Sequence, residues 1–123
     1  MELLGLVNKA WALRYLREAK AELKLAEEEP GLSILFSMEA AKKAQASIYY
    51  CLGDARALEA LVFDAMVEEK PPSDKVMELL LAVERAVQAI ARAGNPDEAL
   101  RMASGLVELA SRIVSKVLGE DKG

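Results

Sequence analysis

Carboxylates are the only abundant side chains in this sequence with catalytic or metal-binding chemistry. Glu18 and Glu22 stand one helical turn apart, as do Asp64 and Glu68. Two such pairs facing one another would present hard oxygen ligands of the kind Mg²⁺ takes. Arg14 and Lys20 lie beside the first pair, however, and mixed charge on a helix flank predicts a solvated, salt-bridged face. Histidine is absent from the whole chain. That removes imidazole general acids and bases, Ser–His and Cys–His nucleophile pairs, and ordinary zinc or di-iron sites. Cys51 is the one thiol. It has no basic or electropositive neighbourhood in the sequence to activate it, so it reads as a structural thiol beside the core. The run Glu27-Glu28-Glu29 sits at a helix end, where its charge opposes the dipole, and reads as a solvated terminus. Trp11, the only tryptophan, is placed for packing on the apolar side of its helix.

The elements that must position these groups are helical. Of the 123 residues, 53% are hydrophobic but only 5% aromatic, so the core must be aliphatic. Threonine is absent and glycine and proline are few and placed at boundaries, a profile that favours helix over sheet. The caps and breakers divide the chain into five segments. The first is expected from about Glu2 to Glu29, with Ala12, Leu16, Ala19, Leu23 and Ala26 as its buried stripe and Pro30-Gly31 as its stop. The second runs from about Ser33 to Leu52, with Ile34, Ala41, Ile48 and Leu52 on one face beside Ala44 and Gln45. Asp54 caps a shorter third helix to about Glu69, striped by Leu58, Leu61, Val62, Ala65 and Met66 and closed by Pro71-Pro72. Ser73 or Asp74 caps the fourth, whose inward positions are Val76, Leu79, Leu80, Val83, Val87 and Ile90. Asn95-Pro96-Asp97-Glu98 opens the fifth with an N-cap, a proline at the first helical position and a capping-box glutamate. That helix presents Ala99, Met102, Ala103, Leu106, Ala110, Ile113 and Val117 before Gly119.

Short connectors between long helices predict an all-α, antiparallel up-and-down bundle of four main helices plus one shorter accessory helix. Residues 1–119 form one domain in this reading and 120–123 a frayed tail. The net charge of −4, from 20 acidic and 16 basic residues, is spread along the chain, and Lys42-Lys43 is its only adjacent basic pair. Nucleic acid is therefore not the expected partner. The longest uncharged stretch, Ala44 to Gly53, is too short to span a bilayer, and no positive segment precedes the apolar N-terminal residues as in a secretory signal. A cytoplasmic location is expected, and the scarcity of Asn, Gln and Cys beside plentiful Glu, Lys and Arg is of the kind thermophilic proteins show. No cofactor is expected.

On the second helix, Phe36, Lys43 and Tyr50 fall together with Glu39 on the face opposite Ile34, Ala41 and Ile48. A two-layer bundle would leave that face in water. Either the third helix covers it or it forms an interface with another subunit, which makes Phe36, Lys43 and Tyr50 the candidate interface residues.

Three stretches resemble the HEPN superfamily of helical bundles. Ala12 to Leu23 looks like that family's opening helix, Ser37 to Ala46 like its Ala/Lys-rich second helix, and Asn95 to Val114 like its closing helix. The likeness spans most of the chain in loose helical patterns. The family's ribonucleases carry an Arg followed a few residues later by His near the start of the last long helix, and the matching stretch, Arg92 to Arg101, has no histidine. The resemblance implies a non-catalytic member: a homodimer, or the helical partner of a nucleotidyltransferase or toxin–antitoxin type protein. Tyr50 to Met66 and Ala91 to Val107 are also similar to the turn and second helix of tetratricopeptide units, offset by more than that repeat's period, and would imply a peptide-binding scaffold. A carboxylate-dependent Mg²⁺ nucleotide hydrolase is a further alternative, although the paired Glu-x-x-Glu and Glu-x-x-Asp pattern of helical pyrophosphatases is missing.

Overall fold

The computed structural model describes residues 3–119, and side chains from Gly5 onward. Among these residues there are five α-helices and no strand: α1 Leu3–Glu28, α2 Ser33–Leu52, α3 Ala55–Glu68, α4 Lys75–Ala91 and α5 Pro96–Leu118. The chain is an all-α helical bundle. No helix among the described residues is long and apolar enough to cross a membrane. The expected tail at 120–123 and the α1 start at Glu2 lie outside the described residues.

Each boundary has a local cause. Pro30 cannot extend the ladder of α1, and Pro30–Leu32 forms a single 3₁₀ turn that leads into α2. Asp54 accepts hydrogen bonds from the backbone N–H of Arg56 (3.1 Å) and Ala57 (3.2 Å) at the start of α3. Asp74, not Ser73, caps α4 by accepting from Met77 N–H at 2.8 Å. Asn95 caps α5 by accepting from Glu98 N–H at 2.8 Å, and the Glu98 carboxylate reaches back to accept from Gly94 N–H at 3.0 Å. Each cap satisfies otherwise orphaned donors and contributes about 1 kcal/mol. At the end of α3, Glu69 adopts a left-handed conformation with φ 55°, a position where a side chain is strained and glycine is at ease.

α2 is the centre of the fold and packs against all four other helices. Its buried residues are Ser33, Ser37, Ala40, Ala41, Ala44, Ser47, Ile48 and Tyr49, six of them alanine or serine. α1 lies antiparallel to it and buries Ala12, Ala19 and Ala26 with Leu16. α5 closes this three-helix layer with Ala99, Ala103, Leu106, Val107, Ala110 and Val114. Small side chains on all three helices permit close approach of their backbones. One consequence is direct: Ser47 Oγ donates to the Ala12 carbonyl oxygen of α1 at 2.7 Å. α4 packs on α2 and α5 through Leu80, Leu81, Val83 and Ile90. The accessory helix α3 rests on α2 and α4 and fully buries only Val62.

The stripe expected on α1 is largely the buried one, with Leu23 half-buried. Three positions expected to face inward are instead about half exposed: Leu61, Val76 and Val117, at 52%, 49% and 51%. They lie near helix ends or on the loosely covered α3, where no neighbouring helix closes over them.

Two stability predictions follow from this packing. Ser37 Oγ is buried without a hydrogen-bond partner, so Ser37→Ala is expected to raise the unfolding free energy by about 1 kcal/mol, whereas Ala44→Leu overfills a fully buried position and lowers it by about 1–3 kcal/mol. Denaturant unfolding of the two variants checks both signs. Glu69→Gly relieves the left-handed strain and is expected to raise the midpoint of thermal unfolding by the equivalent of about 0.5–1 kcal/mol.

Candidate functional site

The first carboxylate pair is occupied from within the chain. Lys43 Nζ lies 3.0 Å from Glu22 Oε2 and 3.4 Å from Glu18 Oε1, and Arg14 Nε donates to Glu18 Oε2 at 3.0 Å. The Arg14 hydrogen bond, helped by Lys43, holds the Glu18 carboxyl below its ordinary range, and the bond to Glu22 raises Lys43 above the usual lysine value. Asp64 and Glu68 sit on α3, which packs on α2 and α4, away from this pair. Among the described residues no group of three or more His, Cys, Asp or Glu is arranged to hold a metal.

Lys43 and Tyr50 face α1, whereas the sequence suggested either α3 or another subunit as their cover. Tyr50 joins Trp11 and Tyr15 in a three-ring cluster, with its centroid 6.1 and 5.7 Å from theirs and theirs 5.7 Å apart, and the Arg14 guanidinium stands 5.2 Å from the Trp11 ring centroid. The reason is the central place of α2: with neighbours on several sides it has no wholly wet face. Phe36 is half-buried on the same side. Trp11 keeps 37% of its surface exposed, so it packs at the edge of the bundle and outside its core. Cys51 is half-buried, and burial pushes its thiol up, which disfavours the thiolate.

A different constellation forms where α2, α3 and α4 meet. α2 supplies Gln45 and, one turn on, Tyr49; α4 supplies Glu84 and, one turn on, Gln88. These residues, with Val62, Phe63 and Val67 of α3, line a cleft of about 320 Å³ that Glu59 of α3 also borders. Glu84 is clamped by amide donors: Gln45 Nε2 to Oε1 at 2.6 Å and Gln88 Nε2 to Oε2 at 2.9 Å. An ionised carboxylate only accepts, which fixes the orientation of the Gln45 amide. The same Nε2 also donates to the Tyr49 hydroxyl at 3.3 Å. Tyr49 is only 6% exposed. Burial, then the charges of Glu84 and Glu59, push its phenol pKa up to about 12. One end of the cleft is thus polar and negative, and the other is walled by apolar side chains.

Sequence reasoning missed this site. Gln45 and Gln88 are the only glutamines in the chain, and both are spent on one carboxylate. The Glu84–Gln88 spacing was visible as a helical i, i+4 pair. No local pattern links Gln45 to residues thirty-nine positions away. The two amides fix the orientation of a carboxylate in a half-buried cleft that Cys51 does not line.

Fold and cleft together make a helical bundle with a small acidic cleft walled partly by aromatic side chains. No protein-family model, curated protein or solved structure matches the chain.

The alkaline behaviour of Tyr49 gives a prediction. Below pH 10 the folded and unfolded states hold its proton equally. Above that, the unfolded chain, at the ordinary value of 10.0, ionises before the folded one, at about 12, so stability falls as pH rises through this window. The loss from this group is up to about 3 kcal/mol. Tyr49→Phe is expected to flatten the decline of unfolding free energy across that range, measured against the same decline in the parent chain.

Proposed function

We propose that the chain is a non-catalytic helical interaction protein, HEPN-like in architecture, that self-associates through the outer face of α3. The observation that carries this reading is the unpartnered surface of that helix. Phe63 and Val67, one turn apart, are 67% and 64% exposed and Val62 alone is buried, while Leu61, 52% exposed, lies on the other flank of the helix. A soluble surface rarely exposes several large apolar side chains side by side unless something covers them. The absence of histidine in the sequence supports the non-catalytic part of the reading.

A second copy is the occupant that fits. Arg56, Ala60, Phe63 and Val67 follow one another at intervals of four, three and four, the spacing of a helix–helix seam. Ala60 at its middle allows close approach. The one cation of α3, Arg56, lies near its N-terminus, whereas Asp64 and Glu68 lie toward its C-terminus. Antiparallel pairing about a two-fold axis would set each Arg56 toward the other copy's acidic end, while parallel pairing would oppose like charges.

Light scattering on a size-exclusion column over a hundredfold concentration range is expected to give a dimer that dissociates on dilution. Phe63→Glu should give a monomer of unchanged helicity, because the side chain is exposed in the isolated chain. Arg56→Glu should weaken the dimer at least several-fold, and adding Asp64→Arg should restore it. A parent chain that stays monomeric throughout would overturn self-association.

A further inference from the structure

The cleft between α2, α3 and α4 carries features that self-association does not use. Its polar end holds two carboxylates, Glu84 and Glu59, and no lysine or arginine lines it. Lys42 borders an adjoining hollow that shares Gln45, Tyr49, Glu59 and Glu84 with the cleft, without pairing with either carboxylate. Neither carboxylate has an ion pair among the described residues. Glu84 is half-buried and its oxygens are oriented by two amide donors, which position the carboxylate and leave its charge uncancelled. Tyr49 is more than nine-tenths buried and lines the same cleft. Its oxygen accepts from Gln45, so its own O–H remains to be donated to an acceptor in the cleft. Phe63 and Val67 supply an apolar wall suited to a hydrocarbon stem, and Phe63 adds an aromatic face of the kind that attracts cations. The volume, about 320 Å³, is at the small end of ligand sites and suits one short aliphatic chain.

We propose that this cleft is a binding site for an alkylammonium group, its ammonium held by Glu84 and Glu59 and its methylenes laid against Phe63 and Val67. The group belongs either to a free aliphatic amine or to a lysine side chain presented by a protein partner, the second offering a neighbouring carbonyl to the Tyr49 hydroxyl. Glu84, Gln45 and Gln88 lie off α3, whereas Phe63 and Val67 belong both to the proposed α3 seam and to the wall of this cleft.

The two glutamines make the test direct. Gln45 and Gln88 contribute the only glutamine side-chain amide signals in a ¹⁵N-labelled sample, and Asn8 and Asn95, outside this cleft, serve as internal references. Titration at neutral pH with cadaverine, or with Nα-acetyl-lysine methylamide, is expected to shift both glutamine signals saturably and leave Asn95 unmoved. Pentan-1-ol, of similar length without charge, should not shift them. Glu84→Gln should weaken amine binding at least tenfold, and the exposed Glu59→Gln should weaken it several-fold and serves if the first variant is destabilised. Tighter binding of the lysine derivative, lost in Tyr49→Phe, assigns the site to a protein partner; tighter binding of cadaverine, indifferent to Tyr49→Phe, assigns it to a free amine. Glutamine signals unmoved by both amines, or moved equally by the alcohol, would overturn the proposal. So would unchanged amine affinity in both carboxylate variants. Using the Arg56→Glu chain, whose changed residue does not line the cleft, beside the parent separates this result from the fate of the α3 interface.

Discussion

The close contact of α2 with its neighbours is the constraint on which the rest of the structure depends. A helix can be surrounded by four others only if its side chains are short where backbones approach, and α2 meets this with alanine and serine on most of its buried positions. The Ser47–Ala12 hydrogen bond is a local measure of how close α1 comes. Small residues contribute less apolar area than leucine or phenylalanine, so the larger hydrophobic share comes from Leu80, Leu81, Val83 and Ile90 of α4 and Leu106, Val107 and Val114 of α5. The bundle thus divides its labour: α1, α2 and α5 approach closely along alanine seams, and bulky aliphatic side chains fill the wider space beneath α4.

The cleft follows from the same arrangement. α3 is short because Gly53-Asp54 starts it and Glu69 to Pro72 ends it, and it reaches only α2 and α4. It therefore leans on the bundle without sealing it. The gap is filled at one end by long polar side chains from α2 and α4. Gln45, Glu84 and Gln88 satisfy one another there, as half-buried polar groups must. The same incomplete coverage leaves Phe63 and Val67, which wall the other end of the cleft, largely in water. One short helix accounts both for the cleft and for the apolar face beside it.

The polar interactions along α1 show how charge is used differently elsewhere. Lys43, with Glu18, Glu22 and Arg14, forms a partly solvated network in which each charge has an opposite neighbour. Such surface pairs contribute little individually to stability. Their effect is to tie the polar edge of α1 to α2, next to the Trp11–Tyr15–Tyr50 stack that joins the same two helices nearer the start of α1. Carboxylates matched by cations at this edge contrast with the unmatched ones in the cleft, and the contrast is what marks Glu59 and Glu84.

The helices and their ends were legible in the amino-acid sequence. Capping by Asp54, Asp74 and Asn95, the stop at Pro30 and the alanine-rich stripe of α1 depend on contacts within a few residues, and local chemistry determines them. The all-α bundle follows from the same signals. Which helix would lie at the centre was not legible, because periodicity reports how wide an apolar face is and not which neighbour covers it. For that reason Lys43 and Tyr50, read as facing α3 or another subunit, were brought against α1, and Leu61, read as inward, was left half exposed. The cleft was decided wholly by tertiary structure: Gln45 and Glu84 are remote in sequence, and only the packing of α4 on α2 brings an amide donor within 2.6 Å of that carboxylate.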